Sequence, residues 1–192
     1  MRAKYKKRGP YIVLKSREVY KNPWIRVQED KVIKSNGRKG TYSIVETKGG
    51  VTIVPIDTKG YCYLIKEYAY AVKRTEINLP GGGLDNNETP LKAAKRELLE
   101  ETGLTSKKWK YLGKIFYFTN IFSTPEHLFL ALDVKKKSRK LSSEIDKVIS
   151  PPFKKVIKMA LDNRIDSAER CTAIFRADRY LRTRKYEFTK AR

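Results

Sequence analysis

Apolar and polar positions alternate along residues 25–34 and again along 41–47, with the turn-forming stretch SNGRKG between them. This pattern predicts an antiparallel hairpin. A second hairpin is predicted from VTIVPI at 51–56, the turn DTKG, and YCYLIKEY at 61–68. The run FLALDV at 129–134 reads as a buried strand preceded by the aromatic stretch IFYF at 115–118. The period then becomes helical. Phe153, Val156, Ile157, Ala160 and Leu161 share one face over 152–161, and Ser167 stands where it would cap a last helix running to Leu181. One more short helix is predicted over 90–102, where Thr89 suits the N-cap, Pro90 the first turn and Gly103 the stop. Strands and helices interleave, with no internal repeat and no low-complexity segment, so the fold class is mixed α and β.

With 192 residues, 40% of them hydrophobic, the chain has room for one sizeable core and a small appended element. No apolar run approaches membrane-spanning length, and the Lys-rich start is not followed by a signal-peptide core, so a cytoplasmic protein without membrane attachment is expected. Cys62 and Cys171 are too few and too far apart for a metal knuckle or a disulfide framework and are expected as buried thiols. Forty-three Lys and Arg against 21 Asp and Glu leave a formal charge of +22, which favours polyanions as substrates or as non-specific partners. The basic runs at 135–140 and 179–192 read as exposed segments with weak affinity for nucleic acid, since neither carries an RNA-recognition signature.

The densest chemistry lies at residues 82–104, GGLDNNETPLKAAKRELLEETGL. On the helix predicted there, Glu97, Glu100 and Glu101 stand at i, i+3 and i+4 and so share a face. Like charges at that spacing weaken a helix. A solvated acidic face is one reading. The other is a seat for hard divalent cations, which take carboxylate oxygens, and the glycines at 81–83 would let backbone approach such a cation or a phosphate closely.

Gly82, Glu88, the pair Arg96-Glu97, Glu100, Glu101 and Gly103 fall at the spacing of the complete Nudix box, and in this the chain resembles the Nudix hydrolases, which cleave nucleoside diphosphates linked to another group. From about Trp24 to Leu181 the order of elements resembles the ADP-ribose pyrophosphatase branch: an N-terminal hairpin, LPGGG before the box, YLGKIFYF, HLFLALDV, an acidic loop and closing helices. The resemblance implies an αβα sandwich with a mixed sheet and an N-terminal antiparallel β hairpin element. It divides the chain into residues 1–48 for dimerisation and substrate pocket, 49–185 for the hydrolase domain and 186–192 as a basic tail. It also implies a homodimer whose N-terminal parts cross over, with Trp24 and Tyr42 where aromatics stack on adenine. Three departures bear on substrate. Ala69 replaces an arginine that holds phosphate, Thr119 and Asn120 replace a proline and glycine that mark ADP-ribose specificity, and Asn78 replaces a glutamate before LP. Lys66, Lys73 or Arg74 would have to supply the missing phosphate contact.

By this resemblance, Mg2+ or Mn2+ ions bind Glu97, Glu100, Glu101 and a backbone carbonyl near Gly81, neutralise the pyrophosphate and lower the pKa of bound water. Arg96 orients Glu88 or Glu97, and Glu88 supports the ligands from behind. The general base is expected in the loop after FLALDV, with Glu144 first, Asp146 next and Glu126 as a rival. His127, the single histidine, reads as structural. Hydrolysis of ADP-ribose or a similar nucleotide derivative to two monophosphates is the expected activity. Nucleotide sugars, dinucleoside polyphosphates, NAD-type dinucleotides and capped RNA are the alternative substrates, and a catalytically weak nucleic-acid binding module is the alternative of another class.

Overall fold

Every residue of β5 (Gly50–Ile56) is buried, which marks it as the interior strand on which the larger part of the protein is built. In the computed structural model, which describes residues 6–138 and 141–189, both edges of β5 are taken. On one side it pairs in parallel with β11 (Pro125–Leu132), and on the other antiparallel with the short β8 (Gly81–Gly83). With β10 (Lys108–Phe116) outside β11, this is a mixed sheet in the order β10-β11-β5-β8. Successive side chains leave a strand on opposite faces, and the core splits accordingly. Val51, Ile53, Phe129 and Ala131 pack with Ala93, Ala94 and Leu98 of α1 (Pro90–Thr102). Val54, Ile56, Leu128 and Leu130 pack with Phe153 and Val156 of α2 (Phe153–Leu161) and Ala173, Ile174 and Ala177 of α3 (Ala168–Thr183). Helix, sheet and helices make the expected αβα layering.

The second predicted hairpin does not form. Residues 57–60 do turn, but β6 (Leu64–Ala69) leaves β5 after the single bridge Ile56–Cys62 and joins another sheet, between β7 (Arg74–Asn78) and β13 (Ile145–Ile149). β8 takes that edge of β5 over Gly50–Thr52, which leaves only its end for the bridge and for the bond from Tyr63 N to Pro55 O. A two-stranded ladder joins β9 (Leu104–Thr105) to β12 (Lys135–Lys136), so the run at 135–140 begins as a strand and Lys136 Nζ donates to Thr102 O at the end of α1; residues 139–140 lie outside the described residues. Helix α2 buries Met159, whereas Leu161 is exposed. Ser167 occupies the N-cap of α3, yet its hydroxyl accepts from Arg170 Nη1 rather than from the helix backbone. The basic tail is not loose through its described part. Tyr186 donates to Asp133 Oδ1 at 2.8 Å and Phe188 packs on Gly60, which sits at φ 85; residues 190–192 lie outside the described residues.

The described residues up to Lys48, together with Phe116–Pro125, form a separate compact unit. Its sheet, β1 (Lys6–Arg8), β2 (Tyr11–Lys21), β3 (Ile25–Ile33) and β4 (Lys39–Thr47), is antiparallel throughout and larger than the hairpin read from sequence. Among the described residues no helix is long and apolar enough to cross a membrane. Cys62 is buried as expected, and Cys171 is partly exposed.

Candidate functional site

Helix α1 begins where the sequence indicates. Thr89 Oγ1 accepts from Lys92 N, a cap that contributes about 1 kcal/mol, and Gly103 ends the helix in the left-handed region at φ 67. The helix lies against β8, and two of its carboxylates meet glycine there. A side chain on Gly82 would run into the Glu97 carboxylate, and one on Gly81 into Val51 O. The Gly81 N–H donates to Glu101 Oε2 at 2.8 Å, so this glycine reaches the cluster through its amide as well as lying in the strand.

Arg96 organises the acidic residues around it. Its Nε and Nη2 donate to the two oxygens of Glu88 at 3.1 and 2.9 Å, a bidentate fork. Nη1 donates to Glu97 Oε1 at 2.7 Å and to Glu100 Oε2 at 3.3 Å, and Nη2 also to Gly83 O at 3.0 Å. The hydrogen bonds from Arg96 hold the Glu88 carboxyl below its usual range, and donating to Glu88 and Glu97 keeps the Arg96 guanidinium firmly charged. Glu97 and Glu101 behave in the opposite way. Burial pushes the Glu97 carboxyl up, and burial together with the nearby charges of Glu97 and Glu67 pushes Glu101 up to about 8. Glu100 is half exposed, at 52% of its side chain.

Two carboxylates, one buried and one half-buried, that resist ionisation are chemically suited to a hard divalent cation, which would supply the missing positive charge. Glu97 and Glu101, with Glu100 beside them, fit such a group by donor type. As arranged, however, no three Asp, Glu, His or Cys side chains among the described residues converge into a ready ligand set. Arg96 draws Glu97 and Glu100 to itself, while the Gly81 amide holds Glu101.

The remaining residues singled out from sequence fall in several places. Glu144 is exposed in a turn tethered at both ends, by Ser142 N to Glu100 O at 2.8 Å and by pairing of Ile145 with Glu67. Asp146 sits at the irregularity that follows in β13. Glu126 is buried and accepts from Thr52 Oγ1 at 2.8 Å, and strand alternation sets it with Thr52 and Leu128 on the sheet face turned from α1. His127 Nδ1 lies 2.9 Å from Tyr111 OH. Arg74 is engaged by Glu76 at 2.7 Å and Asp166 at 2.6 Å, Lys66 is exposed on the face of β6 opposite Glu67, and Lys73 is at the tip of the β6–β7 hairpin. Trp24 is 68% exposed at the β2–β3 turn. Tyr42 pairs opposite Asp30 and packs edge-on against Tyr11 at 5.1 Å. Because Ile25 pairs with Thr47, Trp24 and Tyr42 of one chain lie about 17 Å or more apart along the sheet.

Sequence reasoning passed over Glu67 and Arg170. Asn78 Nδ2 donates to Glu67 Oε1 at 2.9 Å, and Arg170 Nη2 stands 3.7 Å from the same oxygen. The amide at 78 departs from the usual pattern, but nothing in the sequence tied it or the carboxylate at 67 to a residue of the last helix.

Comparison with known proteins adds a relationship to this geometry. Residues 46–169 match the NUDIX domain, and residues 12–45 match the nucleoside diphosphate sugar hydrolase N-terminal domain. The chain is 28% identical over 142 residues to an ADP-ribose pyrophosphatase of Bacillus subtilis (strain 168), spanning 72% of this chain and 77% of that one. It is 31% identical over 106 residues to the ADP compounds hydrolase NudE of Escherichia coli (strain K12), spanning 54% and 56%. A crystal structure of an ADP compounds hydrolase superposes with a TM-score of 0.79 at 24% identity, covering 93% of this chain and 98% of that one, a likeness of fold.

Proposed function

This chain belongs to the NUDIX domain family, and from that membership we propose that it hydrolyses the pyrophosphate bond of ADP-ribose or a closely similar nucleoside diphosphate derivative, releasing two monophosphates. The observation that carries this reading is the pairing of buried Glu97 and half-buried Glu101 with Gly82 and Gly81. Solvated acidic faces have no need to bury carboxylates or to keep side chains off the opposing strand. Relatives named for ADP-ribose and for ADP compounds support the substrate class.

The residues divide the work as follows. Glu97, Glu100 and Glu101 hold a divalent cation, Mg2+ or Mn2+. When bound, that cation neutralises phosphate charge and lowers the pKa of a coordinated water. Arg96 fixes the rotamers of Glu88, Glu97 and Glu100 by its fork. Glu144 takes the proton of the attacking water from a loop tethered to α1, in preference to Glu126, which is buried and bonded by Thr52. Trp24 and Tyr42 stack on the base. Since they lie far apart in one chain, that role favours a homodimer in which each N-terminal sheet contributes to the partner's pocket. The free thiols of Cys62 and Cys171 suit the reducing cytoplasm.

A second substrate class, the nucleotide sugars, is favoured by the match of residues 12–45 to the nucleoside diphosphate sugar hydrolase N-terminal domain. A turnover screen with Mg2+ and Mn2+ over ADP-ribose, nucleotide sugars, dinucleotides and capped RNA decides between these classes. ADP-ribose is expected to show the highest kcat/KM. Absence of turnover with every nucleoside diphosphate derivative would sink the reading.

A further inference from the structure

Arg170, in the first turn of α3, holds Nη1 at 2.6 Å from Glu169 Oε1 and at 3.2 Å from Ser167 Oγ. Its other edge faces the Glu67 carboxylate in an ion pair that makes no hydrogen bond. Nη2 lies 3.7 Å from Glu67, beyond hydrogen-bond reach, and Nε is the one buried side-chain nitrogen or oxygen among the described residues that lacks a hydrogen-bond partner. Nε and Nη2 together form the side-on edge of the guanidinium, which offers two parallel N–H groups to a carboxylate or phosphate. A buried donor left without an acceptor is destabilising. Here it belongs to a planar cation fixed at its far end and 22% exposed, so the edge is pre-organised.

The position of that edge bears on substrate. Glu67 pairs with Ile145, the residue after Glu144, so Arg170 meets β6, the neighbour of the strand that leads out of the Glu144 turn. Its charge also acts on Glu101, where it favours the ionised form. Arg74, the arginine considered for phosphate, is occupied by Glu76 and Asp166, and Arg96 is occupied by Glu88, Glu97 and Glu100. A substrate carrying two adjacent phosphates, brought among carboxylates, needs a cation with donors to spare.

We propose that Arg170 is a substrate-binding residue whose Nε and Nη2 grip the non-bridging oxygens of one phosphate. The inference rests on the pyrophosphohydrolase reading above. Arg170 therefore supplies from the last helix a contact that Ala69, on β6, cannot make. If the residue serves instead to neutralise Glu67, it acts through that carboxylate and not on substrate.

The test compares Arg170→Gln and Arg170→Lys for ADP-ribose kinetics and for affinity toward inorganic pyrophosphate by titration calorimetry. Arg170→Gln is expected to raise KM at least about tenfold with a smaller change in kcat, and to weaken pyrophosphate binding in parallel. Arg170→Lys is expected to recover only part of either, because an ammonium offers no fork. If the Gln variant does not fold, the Lys variant alone carries the reading. In a Glu67→Gln background the effect of Arg170→Gln should keep its size. Unchanged KM and pyrophosphate affinity in the folded variants, or an effect that vanishes once Glu67 is neutral, would overturn the proposal. Wild-type protein without turnover on any nucleoside diphosphate derivative would sink the function, while the pyrophosphate titration would still decide the role of Arg170.

Discussion

Glu97 lies against Gly82 so closely that no side chain fits between the carboxylate and the β8 backbone. Gly82 cannot retreat, because β8 is paired residue for residue with β5 from Gly50–Gly83 to Thr52–Gly81. Gly82→Ala must therefore displace the carboxylate or open the strand pair. A cost of about 1–3 kcal/mol in stability is expected from overpacking, together with a fall in kcat of at least about a hundredfold as Glu97 loses its position. Thermal unfolding and steady-state turnover check both. An alanine variant with wild-type kcat would show that the contact has no part in the chemistry.

Glu144 and Glu126 can be separated by what each change costs. Glu144 is exposed and tied to α1 only through the backbone of its turn, so Glu144→Gln is expected to leave thermal stability level and to lower kcat by about 10²- to 10⁴-fold. Glu126 is buried and bonded by Thr52, so Glu126→Gln is expected to cost about 1–3 kcal/mol of stability with a smaller loss of kcat. The reverse assignment, with kcat failing at Glu126 and intact at Glu144, would move the base to β11.

These expectations depend on how much of the site is local. Helix α1 was legible to the residue because its cap, its proline and its stop are all sequence neighbours of its own ends. The Arg96 fork was legible for the same reason, since Glu88 lies within reach along the box. The β5–β6 hairpin was misread beyond its first bridge because the main partners of β5 are β8 and β11, and no local pattern records partners so distant in the chain. Glu67 and Arg170 were missed because a contact between a strand and the last helix leaves no periodic trace.

The N-terminal unit leaves Val19, Tyr20, Trp24 and Phe118 more than half exposed, at 53%, 52%, 68% and 58%. Large apolar side chains left in water on one unit favour its burial against another protein. A homodimer is expected by light scattering at micromolar concentration, with Trp24→Ala raising KM for ADP-ribose by about tenfold as a stacking partner is lost. A fully active monomer would remove both the dimer and the shared pocket.

Glu101 makes the sign of a pH effect definite. Its carboxyl rises from the ordinary 4.5 to about 8 in the folded protein, so the folded state holds the proton more tightly than the unfolded state does. This contribution is fully present below about 4.5. It declines as the unfolded chain ionises, and it is lost once pH passes about 8. Stability without divalent cation should therefore fall across that window. Glu101→Gln, which keeps the size of the side chain and cannot ionise, should fall less, so the difference in Tm between variant and wild type grows in the variant's favour from pH 5 to pH 9. Groups that do not interact with Glu101 titrate in both proteins and cancel in that difference, while Glu97 and Glu67, whose charges act on Glu101, ionise more readily in the variant and add to it. Mg2+ should raise the wild-type Tm at pH 8 and leave the variant nearly unmoved, while turnover in the variant drops by orders of magnitude. If the two unfolding curves run parallel across the whole range and the variant keeps Mg2+-dependent turnover, Glu101 is neither a buried acid nor a metal ligand.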